Sequence, residues 1–253
     1  KASVKGQAAR RRPASRATLA RVARAVGQQY GIPVAPRYRN SDPKGVDVAN
    51  LSAQIGTPLL TTSTTNAGVA VLNCVQTGSG SWNRNGRKIF LKSVRIRGAT
   101  EVVHDNAGAA AATRAAIVRL VVVWDRNPNS GSIPTYDTIF GETSQTGTET
   151  SSVLSNLRWD NTGRFKVLRD VINLHVPNGI PQVAEEGILS KCTFDEFIKL
   201  DGLETIFSGQ ANPCTIGDIS SGALYLFVRM DNNTANSTGN LITESSARLR
   251  FTE

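Results

Sequence analysis

Gly86-Arg-Lys-Ile-Phe-Leu-Lys-Ser-Val-Arg-Ile-Arg-Gly98 has the alternation of a long β-strand between two glycines. Phe90, Val94 and Ile96 share one parity with Lys92, whereas Ser93, Arg95 and Arg97 share the other. Side chains of an extended strand alternate between faces, so one face is largely apolar and the other turns basic towards its end. Ile89-Phe90-Leu91 is apolar on both parities, which predicts either burial on two sides or a bulge. No helical period fits the run as well. A long, half-buried strand needs other strands to cover it.

Working outward, the chain supplies them. Gly68 to Val75 reads as a buried strand, and the opening strand continues to Val103. Ala115 to Asp125 is apolar on both faces except at Arg119, as in a mid-sheet strand covered on two sides. Arg164 to Leu174 and Cys192 to Asp201 follow, and Gly202 is expected to turn the chain into a short strand at Glu204 to Phe207. Gly222 to Met230 and Ala247 to Thr252 alternate cleanly. Thr135 to Phe140 reads as one helical turn on a loop, and residues 232–240 as loop. Eight strands with hardly a helix between them leave no crossover helices for a β-α-β fold. The predicted class is all-β: a single eight-stranded antiparallel jelly-roll sandwich over residues 46–253.

The N-terminal part has a different character. Residues 1–44 hold eleven Lys or Arg against one acid, a net +10, while the remaining residues hold eighteen bases and nineteen acids, a net −1. Nearly all of the chain's +9 therefore sits at one end. Residues 1–14 have little to bury. Ser15 can cap a helix near 15–27 that Gly27 ends, with Leu19, Val22, Ala23 and Val26 on one stripe. That stripe is narrow and lacks Trp or Phe, which weighs against a membrane surface. Gly31 to Thr65, with Pro33, Pro36, Pro43 and Pro58, reads as an extended linker. Residues 1–45 are thus a basic arm, and such arms meet nucleic acid. Its candidate phosphate contacts are Lys1, Lys5, Arg10, Arg11, Arg12, Arg16, Arg21 and Arg24. Arg10, Arg11 and Arg12 also fit a nuclear-import signal.

Little in the body suggests catalysis. His104 and His175 lie far apart in or beside strands, no nucleophile elbow occurs, and both histidines read as structural or at an interface. Glu185-Glu186 and Asp195-Glu196 point to opposite faces of a strand and form no acid–base pair. Carboxylates at a subunit contact could hold calcium, but no metal or cofactor is predicted. Cys74, Cys192 and Cys214 form no C-x-x-C pair, which argues against a disulfide framework and for a reducing, intracellular origin. The sequons at Asn232 and Asn236 read as turns, Gly78-Ser-Gly80 opens no helix, and no apolar run approaches the roughly 18 residues of a membrane span.

Asn83-Arg-Asn-Gly-Arg-Lys-Ile-Phe-Leu-Lys-Ser-Val-Arg-Ile-Arg-Gly98 resembles the early body segment of capsid proteins from small circular Rep-encoding single-stranded DNA viruses, the geminivirus-like and circovirus-like group. Val121-Val-Val-Trp-Asp-Arg-Asn-Pro-Asn129, Pro134-Thr-Tyr-Asp-Thr-Ile-Phe140 and Arg164-Phe-Lys-Val-Leu-Arg-Asp170 are similar to later stretches, in the same order. The arm matches in character only. The resemblance implies a single jelly roll and a small icosahedral (T=1) shell of sixty copies. It also implies an interior lined with single-stranded genome, DNA favoured, nuclear import receptors as partners, and location in the virion and host nucleus. Two alternatives stay open: a capsid protein of a small RNA or satellite virus, and a non-viral jelly-roll binding module.

Overall fold

In a computed structural model the chain is described at residues 43–55, 59, 68–104, 115–128, 131–143, 149–176, 188–231, 237–242 and 244–253. The strands are β1 (Lys44–Val48), β2 (Val69–Val71), β3 (Lys88–His104), β4 (Ala116–Asp125), β5 (Glu142–Thr143) and β6 (Glu149–Thr150). They continue as β7 (Phe165–His175), β8 (Ile188–Phe207), β9 (Ile219–Ser221), β10 (Ala223–Asp231), β11 (Ser237–Leu241) and β12 (Ser246–Thr252). One sheet runs β1-β12-β3-β8-β9, with β11 also on β3; a second runs β2-β10-β4-β7; β5 and β6 pair alone. All these strand pairs are antiparallel. The protein is all-β, as its alternating pattern predicts, with twelve strands among the described residues rather than eight.

Three local expectations change. Ile89, Leu91, Val94 and Ile96 are buried, so the apolar parity of β3 switches between Leu91 and Val94. The cause is a bulge: β12 pairs Phe251 with Leu91 and the adjacent Arg250 with Ser93, so Lys92 is an extra residue of β3, and on its other side three residues of β8, between Leu203 and Lys199, face it. Asp201 (φ 47°) and Gly202 (φ 81°) take up the excess in left-handed conformations. The expected turn at Gly202 is therefore a kink inside one twenty-residue strand. Second, Lys44–Val48, expected as linker, pairs with β12 at the sheet edge, and the short helix α1 (Leu51–Ile55) buries Leu51 and Ile55 in the core. Third, part of the expected 232–240 loop is β11, paired with the far end of β3.

The core lies between the sheets, where Leu120, Val122, Val171 and Leu226 meet Ile96 and Phe194. The central strands β4 and β10 are buried on their other face as well. There Tyr225, Phe227 and Arg229 sit in register with Val123, Val121 and Arg119. The segment carrying α2 (Tyr136–Ile139), the helical turn foreseen in the sequence, covers them, with Tyr136 edge-on to Phe227 at 6.1 Å.

Arg119 locks this cover down. Its Nε and Nη2 donate to Asp170 Oδ1 and Oδ2 at 2.9 and 2.6 Å. Its Nη1 donates to Tyr136 Oη, Val153 O and Ser155 O at 2.7, 2.9 and 2.8 Å. The guanidinium also stacks 4.6 Å from the Phe140 ring centre. Burial is the largest single influence and opposes the charge, but the hydrogen bonds and charges of Asp170 and Tyr136 together outweigh it and hold the Arg119 pKa above its usual value. Asp170 is partly exposed, so the cost of losing Arg119 lies mainly in the Val153 and Ser155 carbonyls left short of a donor, about 1–3 kcal/mol for a stranded buried group. Arg119→Met is expected to destabilise unassembled subunits by about that amount in urea unfolding, and a loss under about 0.5 kcal/mol would refute this role.

Candidate functional site

The cationic residues singled out from the sequence, Lys1, Lys5, Arg10, Arg11, Arg12, Arg16, Arg21 and Arg24, lie outside the described residues, as do the helix expected near 15–27 and Glu185-Glu186. The described body shows no catalytic arrangement. His175 is buried, its Nε2 2.9 Å from Thr100 Oγ1 and its Nδ1 3.2 Å from Ser190 O, the setting of a structural side chain. The His104 side chain lies outside the described atoms. Cys74, Cys192 and Cys214 are free thiols. Among the described residues no three His, Cys, Asp or Glu side chains gather to hold a metal, and no helix is long and apolar enough to cross a membrane.

The feature that stands out is the outer face of the first sheet. Antiparallel register sets Asp47, Arg248, Arg95 and Phe197 in one row across β1, β12, β3 and β8. On one side of that row lie Gly45, Arg250, Ser93 and Lys199; on the other lie Ser246, Arg97 and Asp195. The inward residues of the same strands, Val94, Ile96, Ile198, Ala247 and Leu249, are buried, which forces the charged parity outward. Asp195 faces out to the arginines while Glu196 faces in to Arg169 at 2.7 Å, on opposite sides as expected. A hollow of about 510 Å³ lies over this face, lined by Arg95, Arg97, Arg248, Arg250 and Phe197 among others.

The arginines are held in place. Arg95 donates through Nε and Nη2 to both Asp195 oxygens at 2.8 and 2.7 Å, and Arg97 approaches the same carboxylate at 3.2 Å. Arg248 makes the matching two-pronged contact with Asp47, both bonds at 2.7 Å. These hydrogen bonds hold Asp195 and Asp47 below the ordinary carboxylate value and raise Arg95 and Arg248. The alternation of Arg95 with Arg97 and of Arg248 with Arg250 is visible in the sequence. That β12 lies beside β3, so that the two pairs become neighbours, is not. A second exposed feature lies on the other sheet, where edge strand β7 and the residue after it present Ile172, Leu174 and Val176 to solvent.

An antiparallel β-sandwich with a separate cationic end and no reactive cluster among its described residues has the makeup of a viral coat protein. A model of the Geminivirus coat protein/nuclear export factor BR1 family matches residues 2–252, nearly the whole chain, and the chain belongs to that family. It is a capsid protein: a structural component of the virion that works as a homo-oligomer, not an enzyme. The non-viral binding-module alternative is thereby set aside. No curated protein matches the sequence. Among solved structures, the unassembled KI polyomavirus VP1 pentamer matches with 14% identity over 86% of this chain and 96% of that one, at a TM-score of 0.28, too distant to carry an argument.

The ion pairs on the basic face are exposed and screened by solvent, so they add only a small term to the pH dependence of stability. Carboxylates lowered on folding contribute stability that is fully present above their unfolded value and is lost as pH falls through the lowered one. With an ordinary value of 3.8, Asp195 and Asp47 contribute no slope from about pH 8 to about pH 5 and a falling melting temperature below about pH 4. Asp195→Asn is expected to flatten part of that acid limb in thermal melts; an identical limb would show the pairs to be inert.

Proposed function

We propose that this chain assembles as a jelly roll into a small icosahedral shell of sixty copies that packages a single-stranded genome, with DNA the favoured cargo. The strand order supports the jelly roll. Four strands, β1-β12-β3-β8, face four others, β2-β10-β4-β7, and the chain passes back and forth between them as two interlocked Greek keys require. In this division residues 1–45 are the arm and 46–253 the shell domain, with β1 drawing the domain edge back to Lys44.

The observation that carries the packaging reading is the charge split. A net +10 in residues 1–44 against −1 elsewhere makes sense in a coat protein whose arm meets a polyanion. Lys1, Lys5, Arg10, Arg11, Arg12, Arg16, Arg21 and Arg24 would pair with phosphates without reading sequence, and sixty arms bring on the order of 600 positive charges. Arg10, Arg11 and Arg12 would also engage nuclear import receptors, and the protein would then act in the host nucleus as well as in the virion. Phosphate pairing alone does not separate DNA from RNA, so the favoured DNA cargo rests on the family. DNase against RNase digestion of the released cargo decides it.

Copy-to-copy contact is assigned to the apolar flank of β7, where Ile172, Leu174 and Val176 face out beside a strand edge that has no partner strand among the described residues. Ile172→Lys with Leu174→Lys is expected to leave subunits folded but cut particle yield at least tenfold by sedimentation. Unchanged yield would move the contact elsewhere. Deleting residues 1–26 is expected to give particles with little nucleic acid, read as a fall in absorbance at 260 relative to 280 nm. Particles of normal nucleic-acid content would overturn the packaging role of the arm.

A further inference from the structure

The near-neutral total of the body conceals a surface that is far from neutral. The outer face of the first sheet carries Arg95, Arg97, Lys199, Arg248 and Arg250, all exposed, against two carboxylates, Asp47 and Asp195. Both carboxylates are spent on three of the arginines. Arg250 and Lys199 have no acidic partner among the described residues, and they flank Ser93 on opposite sides in one cross-strand row. In the next row Phe197 stands 58% exposed, directly opposite Arg95. Phe197 lies on β8 at the end of its row, between Asp195 and Lys199 along the strand, and its exposed ring beside Arg95 offers an apolar plane that a planar group can cover.

We propose that this face is a second nucleic-acid site, a platform on which unpaired bases of the packaged strand stack while Arg250 and Lys199 hold its phosphates. The inference rests on the packaging reading and adds to it a site on the folded body, separate from the arm. The chemistry of each side chain fits its part. Arg95 and Arg248 spend Nε and Nη2 on carboxylates, which pins both guanidinium groups and leaves their remaining edges and π faces free. Pinned guanidinium planes beside an aromatic ring form a stacking surface that tolerates any base, since every base has a π face. A flat sheet presenting aromatic and cationic side chains is a rigid support for single strands, and its unstacked bases are what a duplex cannot offer. The hollow bordered by Pro43, Lys44 and Gly45, where the described residues begin, also touches Arg248 and Arg250.

The test uses the full chain and two fluorescent probes, an oligothymidylate and a hairpin duplex, with binding followed by anisotropy across a salt series. Phe197→Ala, and Phe197→Leu as a bulk-preserving control, are expected to weaken oligothymidylate binding about tenfold with the salt dependence unchanged and the duplex affected far less. Lys199→Ser with Arg250→Ser is expected to lower the slope of log affinity against log salt by about 1.4, two single-strand phosphate contacts at about 0.7 each. If the unsubstituted chain binds oligothymidylate and both sets of variants match it, the platform is overturned while the arm reading stands. If the unsubstituted chain binds neither probe, the packaging reading fails and this one with it. Equal losses on duplex and single strand, or lost particle assembly at unchanged oligothymidylate affinity, would also overturn the proposal, the latter assigning the face to contact between copies.

Discussion

Strands β4 and β10 are apolar on both faces, and the architecture follows from having to cover both. One side meets the other sheet through Leu120, Val122 and Leu226, the ordinary solution for a sandwich. The other side cannot be left to water, because Val121, Val123, Tyr225 and Phe227 would form a large exposed apolar patch. The long connection between β4 and β7 folds back to close it with Tyr136, Ile139 and Phe140. A loop used in this way must have its backbone groups satisfied once buried. Arg119 does that for Val153 and Ser155 and ties the cover to Asp170 on the neighbouring strand.

Arginine serves two opposite purposes here. Arg119 and Arg229 lie directly opposite one another on that covered face, which would be repulsive if both were bare. Asp170 neutralises the first. Each guanidinium also stacks on an aromatic ring of the cover, Arg119 on Phe140 and Arg229 at 5.4 Å from the Tyr136 centre. Burial lowers the pKa of Arg229, and Tyr136 and Asp137 work against that shift. On the far sheet the arginines are exposed and their pairs with Asp47 and Asp195 contribute little to stability. What those pairs supply is orientation. The protein thus keeps its inward arginines as fasteners and its outward ones as a prepared cationic surface, and only the first kind is required for folding.

Total charge is a poor guide to where a polyanion meets such a body. Strands β3 and β12 hold six Lys or Arg against one acid, β8 holds two against four, and over the whole body the sum nearly vanishes. The sheet then sorts them by face. A capsid subunit gains from this separation because copies must meet each other through surfaces that are not strongly like-charged, while cargo has to meet the opposite.

The sequence alone determined the strand class, most strand positions, the helical turn at Tyr136 and the concentration of positive charge before Lys44, because periodicity and composition are local properties. It also determined the parity of Arg248 and Arg250 and, short of the bulge, that of β3. It did not determine that β8 runs unbroken through Gly202. A glycine that looks like a turn becomes a bulge when a continuous partner strand lies alongside to pair both halves. Nor could it place Lys44–Val48 in a sheet, since a five-residue edge strand with one apolar face is recognisable only once β12 offers its free edge. The grouping of Arg95, Arg97, Lys199, Arg248, Arg250 and Phe197 on one sheet face was settled by tertiary structure alone: these residues come from three segments far apart in the chain, and only strand register makes them neighbours.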